Sequence, residues 1–207
     1  MNTSVATLLL GIGLLFLSFG DLALASLPQD ELESLFDAPC DRYGVPKTLA
    51  LAIASQESGM RPWAMNIAGR SILHATKEEA ISISQAALRT GLSFDIGVMQ
   101  INAWWIRRYN LPLEVVLDPR GNVQLGVWIL AQEIKRHGLN WRAVASYHTQ
   151  LERNPERGRA YAAIVLRRLG VTAPKLVPVA QPPAAAPMLV KRFRYMVSNE
   201  RVVVRQP

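Results

Sequence analysis

Apolar residues recur at helical spacing through the middle of the chain. Over residues 30–43 they fall at Leu32, Leu35, Phe36 and Ala38, on one helix face, and Gly44 stops the run. Pro46 opens a second helix, where its missing N–H suits the first position. Leu49, Ile53 and Glu57 then recur at i, i+4 and i+8 and share a face. Ser58-Gly59 ends this helix, so Glu57 stands at its C-terminus. From 60 to 75 the period lapses, and 70–74 predicts an extended strand or flap. Thr76 with Glu79 three residues on is a capping box, opening a helix to about Arg89 with Thr90-Gly91 as its stop. Residues 95–102 are turn-rich, and 103–109 predict a short helix. Asp118-Pro119 opens the longest helix, closed by His137-Gly138; Asn140 and Asn154-Pro155 cap two more, the last ending at Leu169-Gly170. The pattern predicts a mostly α domain with a minor extended flap.

Both ends differ from this middle. Residues 5–19 are apolar apart from Thr7 and Ser18, and Ala23-Leu24-Ala25 fits an A-x-A cleavage pattern. Residues 1–25 therefore read as an export signal, which makes the protein periplasmic or envelope-associated. The alternative is an uncleaved anchor: no Lys or Arg precedes Arg42, although the apolar run is short of the ~20 residues that span a bilayer. From Ala173 the prolines 174, 178, 182, 183 and 187 alternate with alanines, as in an extended linker, and 190–205 offer a hairpin around Ser198-Asn199 or a disordered tail. The main domain thus occupies 26–172 and the tail 173–207.

The formal charge of +7 is concentrated in that tail, where six basic residues face one acid, Glu200, so the tail carries +5. The main domain is left nearly neutral, and nucleic acid is not expected as a partner. A basic tail suits anionic wall polymer, a membrane surface or an acidic partner, or is merely solvated. Cys40 is the only cysteine, so no intramolecular disulfide forms and the residue reads as a small buried apolar group. One cysteine and three scattered histidines argue against a structural zinc site.

Glu57 is the residue best placed for chemistry. A carboxyl works as a general acid near neutral pH only where its surroundings keep it protonated. An apolar helix, the negative end of that helix and the nearby Trp63 supply such a setting. Cleavage of a glycosidic bond needs this acid together with something that stabilises the oxocarbenium-like carbon. A Glu at a helix end is also a common solvated residue, so Glu57 alone does not decide.

The wider pattern is more specific. Gln56-Glu57-Ser58-Gly59, then Pro62-Trp63, then Gly97-Val98-Met99-Gln100-Ile101-Asn102, then 122–130, then Ala145-Ser146-Tyr147-His148 resembles the lytic transglycosylases with a soluble-lytic-transglycosylase (SLT), lysozyme-like domain. It is most similar to the small members that accompany type IV secretion and conjugation systems, over roughly residues 35–170. The resemblance implies a lysozyme-like fold and cleavage of the β-1,4 bond between N-acetylmuramic acid and N-acetylglucosamine in peptidoglycan. The muramic acid 6-hydroxyl would attack the anomeric carbon and leave a 1,6-anhydro product. Glu57 would be the acid and then the base. Ser58, Gly97, Met99 and Gln100 would contact substrate, Gly97 by close backbone approach and Gln100 through its amide. Asn102 reads as fixing the turn. Asn122 and Gly126 match an N-x-x-x-G helix motif, with Gly126 structural. Tyr147 would bond near the acid, and Tyr161 reads equally as a cleft or a core tyrosine. No metal or organic cofactor is implied. Secretion or conjugation proteins are implied as partners, through the tail.

Three features depart from the family pattern or leave a choice. His148, Thr149 and Gln150 stand where the family's A-Y-N-A-G motif has Asn, Ala and Gly, and His148 reads either as a ligand for an N-acetyl group or as a surface residue. Arg120 stands where many secretion-associated members have the cysteine that pairs with an early one, so Cys40 lacks that partner. Asp95 matches a position that is the second carboxylate in animal-type lysozymes; the alternative is an Asp that binds turn amides before Gly97. With Asp95 active, the chain would be a hydrolase of the muramidase type. A wall-binding scaffold with lapsed catalysis is the other reading. Of Trp104, Trp105, Trp128 and Trp141, at most one is expected in the cleft, because aromatics at helical spacing usually form core.

Overall fold

A computed structural model describes residues 27–170. The expected leader, the Pro/Ala-rich tail and its hairpin lie outside the described residues. Among the described residues no helix is long and apolar enough to cross a membrane.

The chain begins with two short helices, α1 (Gln29–Ser34) and α2 (Asp37–Tyr43), where the sequence predicted one. The reason is Pro39. Inside a continuous helix its ring would clash with the preceding turn, so the helix restarts at Asp37 and Pro39 falls in a first turn. Gly44 ends α2 in the left-handed region at φ +65°. Next comes α3 (Lys47–Glu57), with Leu49, Ala50, Ile53 and Ala54 buried and Glu57 as its last residue.

The aperiodic stretch folds as a hairpin, β1 (Ala64–Ile67) and β2 (Arg70–Leu73), of which only the second strand was expected. The capping box forms at the start of α4 (Lys77–Arg89), where the Glu79 N–H donates to Thr76 Oγ1 at 3.1 Å. β3 (Phe94–Ile96) and β4 (Ile101–Asn102) complete an antiparallel sheet of order β2-β1-β3-β4. Met65, Ile96 and Ile101 point from it into the core.

The remaining elements are α5 (Ala103–Tyr109), α6 (Leu113–Val116), α7 (Pro119–His137), α8 (Trp141–His148) and α9 (Pro155–Arg168). The longest, α7, is buried at Val123, Leu125, Val127, Trp128 and Leu130 and packs against α2, α6, α8 and β4. α8 and α9 lie closely together where Gly158 of α9 faces Ala145 of α8: a Cβ on Gly158 would come within 3.3 Å of the Ala145 methyl and would also meet Leu151, just beyond α8. α9 also packs on α3, and that contact assembles the site. Cys40 is buried, and burial raises its thiol pKa to about 11.

Candidate active site

Glu57 stands where the apolar face of α3 runs out, and its side chain is only 12% exposed. Two residues about a hundred positions away close over it. Tyr161, on α9, donates its O–H to Glu57 Oε1 at 2.6 Å. His148, the last residue of α8, has Nδ1 3.6 Å from the same oxygen. The His148 ring lies flat on Tyr161, with centroids 4.3 Å apart and an interplanar angle of 1°. Burial, with the Glu57 charge beside it, holds the Tyr161 phenol well above its ordinary pKa, so it stays an O–H donor. Tyr147 is kept neutral in the same way and donates to the Met99 carbonyl at 2.7 Å.

The sheet forms the opposite wall. Side chains alternate between the faces of a strand, so the register brings Ser71, Asn66, Asp95 and Asn102 into one row, one from each strand. All four line the cleft, whose volume is about 970 Å³. Asp95 Oδ1 accepts from Asn102 Nδ2 at 2.8 Å. Burial pushes the Asp95 carboxyl above its ordinary range; the Asn102 bond opposes this and the Glu57 charge adds to it. At one lip stand Trp104, which is 55% exposed, and the half-buried Trp105. At the far end is Glu133, whose carboxyl is also raised by burial, beside Arg136. Among the described residues no group of three His, Cys, Asp or Glu stands ready to hold a metal ion.

Between these walls runs the turn 97–102, which packs into the core. Gly97 has φ +84°, and a Cβ there would meet the Asn122 side chain at 2.0 Å. Asn122 is fully buried: its Oδ1 accepts from the Met99 N–H at 2.7 Å, and its Nδ2 donates to the carbonyls of Ile96 and Val116. Ser58 donates to the Val98 carbonyl at 2.7 Å and accepts from the Arg61 N–H, which ties the end of α3 to the turn. Met99 packs on Gly126, where a Cβ would come within 2.4 Å.

Several expected substrate contacts are therefore placed elsewhere. Ser58 is 2% exposed with its hydroxyl committed, and Met99 is fully buried by its packing on α7. The close approach that Gly97 allows is to Asn122 rather than to a sugar. Gln100 does line the cleft, but its amide N–H₂ is occupied by the carbonyls of Ala64 and Gly97, both at 2.9 Å. Its side-chain oxygen is what remains to face a ligand. Asn102 fixes the turn as expected, capping α5 through the Trp104 N–H at 2.8 Å, and also holds Asp95. Asp95 lies in β3, bonded to that amide, and not on the turn. Trp63 packs against the core rather than lining the cleft. Two tryptophans line it where at most one was expected, because adjacent residues at the start of α5 both reach the lip.

Sequence reasoning missed Asn66, Ser71 and Arg157, all on the cleft. Only pairing register brings the first two in. His148, open in the sequence between an N-acetyl ligand and a surface residue, stacks on Tyr161 and stands against the acid.

The transglycosylase SLT domain family matches residues 34–162. The type IV secretion system protein virB1 of Brucella abortus is 30% identical over 99 residues, which is 47% of this chain and 41% of the relative. The X polypeptide of Escherichia coli is 29% identical over 98 residues, 44% of this chain and 58% of the relative. The invasion protein IagB of Salmonella typhi is 30% identical over 110 residues, 51% of this chain and 56% of the relative. The chain thus spans about half the length of the curated relatives it matches. No solved structure matches. With the family covering residues 34–162, from α2 through the sheet and into α9, the chain belongs to the transglycosylase SLT domain family, close to its secretion-associated members.

Proposed function

We propose that this protein is a peptidoglycan lytic transglycosylase. The observation that carries the reading is Glu57 itself: a carboxyl only 12% exposed, in an open cleft, with a neutral tyrosine bonded to one oxygen. A glycan strand lies between the polar row of the sheet and the α8–α9 wall, with Trp104 available to stack on a ring. Glu57 gives its proton to the glycosidic oxygen between N-acetylmuramic acid and N-acetylglucosamine, and the C1–O bond breaks. The Asp95 carboxylate faces the cation that develops. The muramic acid 6-hydroxyl bonds to C1, and its proton returns to Glu57, which regenerates the acid.

Residues 26–172 form the catalytic domain, exported by the leader into the periplasm or envelope. The relatives named for type IV secretion and invasion support a task of opening the wall for such an apparatus. The basic tail, 173–207, is its contact with that machinery. Hydrolysis by Glu57 with Asp95, as in a muramidase, is a second reading. It is favoured by one observation, that Asp95 lines the same cleft and feels the Glu57 charge. Mass spectrometry of fragments released from sacculi by residues 26–207 separates them. Anhydro ends, lighter by one water, support transglycosylation; reducing ends would establish the hydrolase.

A further inference from the structure

The surroundings of Glu57 are unequal at its two oxygens. Tyr161 O–H bonds to Oε1 at 2.6 Å, and His148 Nδ1 faces that same atom at 3.6 Å. Which nitrogen of His148 carries hydrogen is set from behind the ring. Arg157 Nε donates to His148 Nε2 at 3.2 Å. A guanidinium has five N–H donors and no lone pair to offer, so Nε2 must be the acceptor. In that arrangement the ring hydrogen is on Nδ1, the nitrogen that lies 3.6 Å from Glu57 Oε1. The face-to-face stacking on Tyr161 resists rotation of the imidazole away from this direction.

We propose that His148, oriented by Arg157, is a positioning residue that makes Oε2 the proton-donating oxygen of Glu57. This rests on the reading of Glu57 as the acid. With an O–H and an N–H both turned towards Oε1, a proton on that oxygen would point at two donors. The acidic proton therefore resides on Oε2. When it passes to the glycosidic oxygen, the O–H and N–H at Oε1 stabilise the carboxylate left behind. The 3.6 Å contact from His148 shortens into a hydrogen bond as that charge appears, since contacts that are long in a free site tighten around developing charge. The proton that returns from the sugar hydroxyl goes to Oε2 again. Asp95 on β3 and Tyr147 on α8 also feel the Glu57 charge, and Tyr147 donates to Met99 instead.

The test has an arm that needs no activity. In the ¹⁵N-labelled full chain, the His148 signals (assigned by their loss in His148→Asn) are expected to show protonated Nδ1 and unprotonated Nε2. In Arg157→Leu the Nε2–H form should appear. Protonated Nε2 in the unaltered protein would overturn the proposal. The second arm is kinetic, on sacculi. His148→Phe keeps the ring stacking and is expected to lower kcat about 10–100-fold with little change in KM, the scale of a misplaced catalytic group. Asn places its Nδ2–H where His has Nδ1–H, so His148→Asn should recover most of that loss. Full kcat in His148→Phe would also overturn the proposal. Absence of any cleavage by the unaltered protein would count against the proposed function, and the tautomer arm would still decide the arrangement at His148.

Discussion

The turn 97–102 and the cleft wall around Glu57 adjoin one another and are built on opposite terms. At the turn, most side chains that match the family pattern are committed to the protein: Asn122 of α7 has three backbone partners there, Ser58 joins the end of α3 to Val98, and Met99 fills the space left by Gly126. Buried polar groups that are fully bonded rigidify a structure, and losing one partner costs the full desolvation of the others. Around the cleft, Asp95 and the phenols of Tyr147 and Tyr161 stand near Glu57, and burial with neighbouring charge raises the titration of all three. The motif that identifies the family is thus mostly the floor on which the chemistry stands. The groups around the cleft come from the ends of α3 and α8 and from the middle of β3 and α9.

The comparison implies that substitutions in the floor act on stability and those in the wall on turnover. The largest stability effect is expected for Gly97→Ala, which forces a side chain into the left-handed region and into Asn122. A loss of about 3 kcal/mol or more is expected, which for a domain of this size lowers Tm by about 10 °C. Calorimetry checks it; an unchanged Tm would mean that the floor is not rigid. Trp104→Ala comes next. The residue is exposed at the lip, so Tm should hold while KM on wall glycan rises about 2–10-fold, the worth of one ring contact. A fall in Tm instead would make Trp104 part of the scaffold.

The smallest effect, and the most diagnostic of the wall, concerns Asp95. Its folded pKa is raised, so the neutral form fits the fold better than the charged one. The stability it contributes is complete below the unfolded carboxylate value and is lost as pH rises through the raised value. Asp95→Asn keeps an acceptor for Asn102 and removes the charge. It should be more stable than the unaltered protein by about 1 kcal/mol or less at neutral pH, with the gap closing in acid. Tm measured against pH for both proteins tests this, and a less stable variant at neutral pH would show that the charge is welcome there.

Local signals predicted much of this architecture. Thr76, Asp118 and Asn140 cap helices where the sequence put them, since each cap is a bond between residues two or three apart. The break before Pro39 was readable in principle from the missing N–H, but the apolar face of residues 30–43 masked it. β1 left no signal because its four residues are specified by pairing with β2 and β3 rather than by their own period. Glu57 was legible from its place at a helix end within a motif. The contacts that complete the site were not: Tyr161 meets Glu57 across 104 positions, and His148 meets Tyr161 through the packing of α8 on α9. Ser58, Gly97 and Met99 were expected on substrate because motif membership marks importance without saying which side of the backbone a side chain occupies.

Whether Glu57 is the acid is decided by digesting sacculi with the Glu57→Gln protein beside the unaltered one. Gln keeps the shape and an acceptor for Tyr161, so Tm should be unchanged while release of anhydro-muropeptides falls by about 10²–10⁴-fold, the contribution of a general acid. Release at the unaltered rate by a folded Glu57→Gln protein would contradict the account.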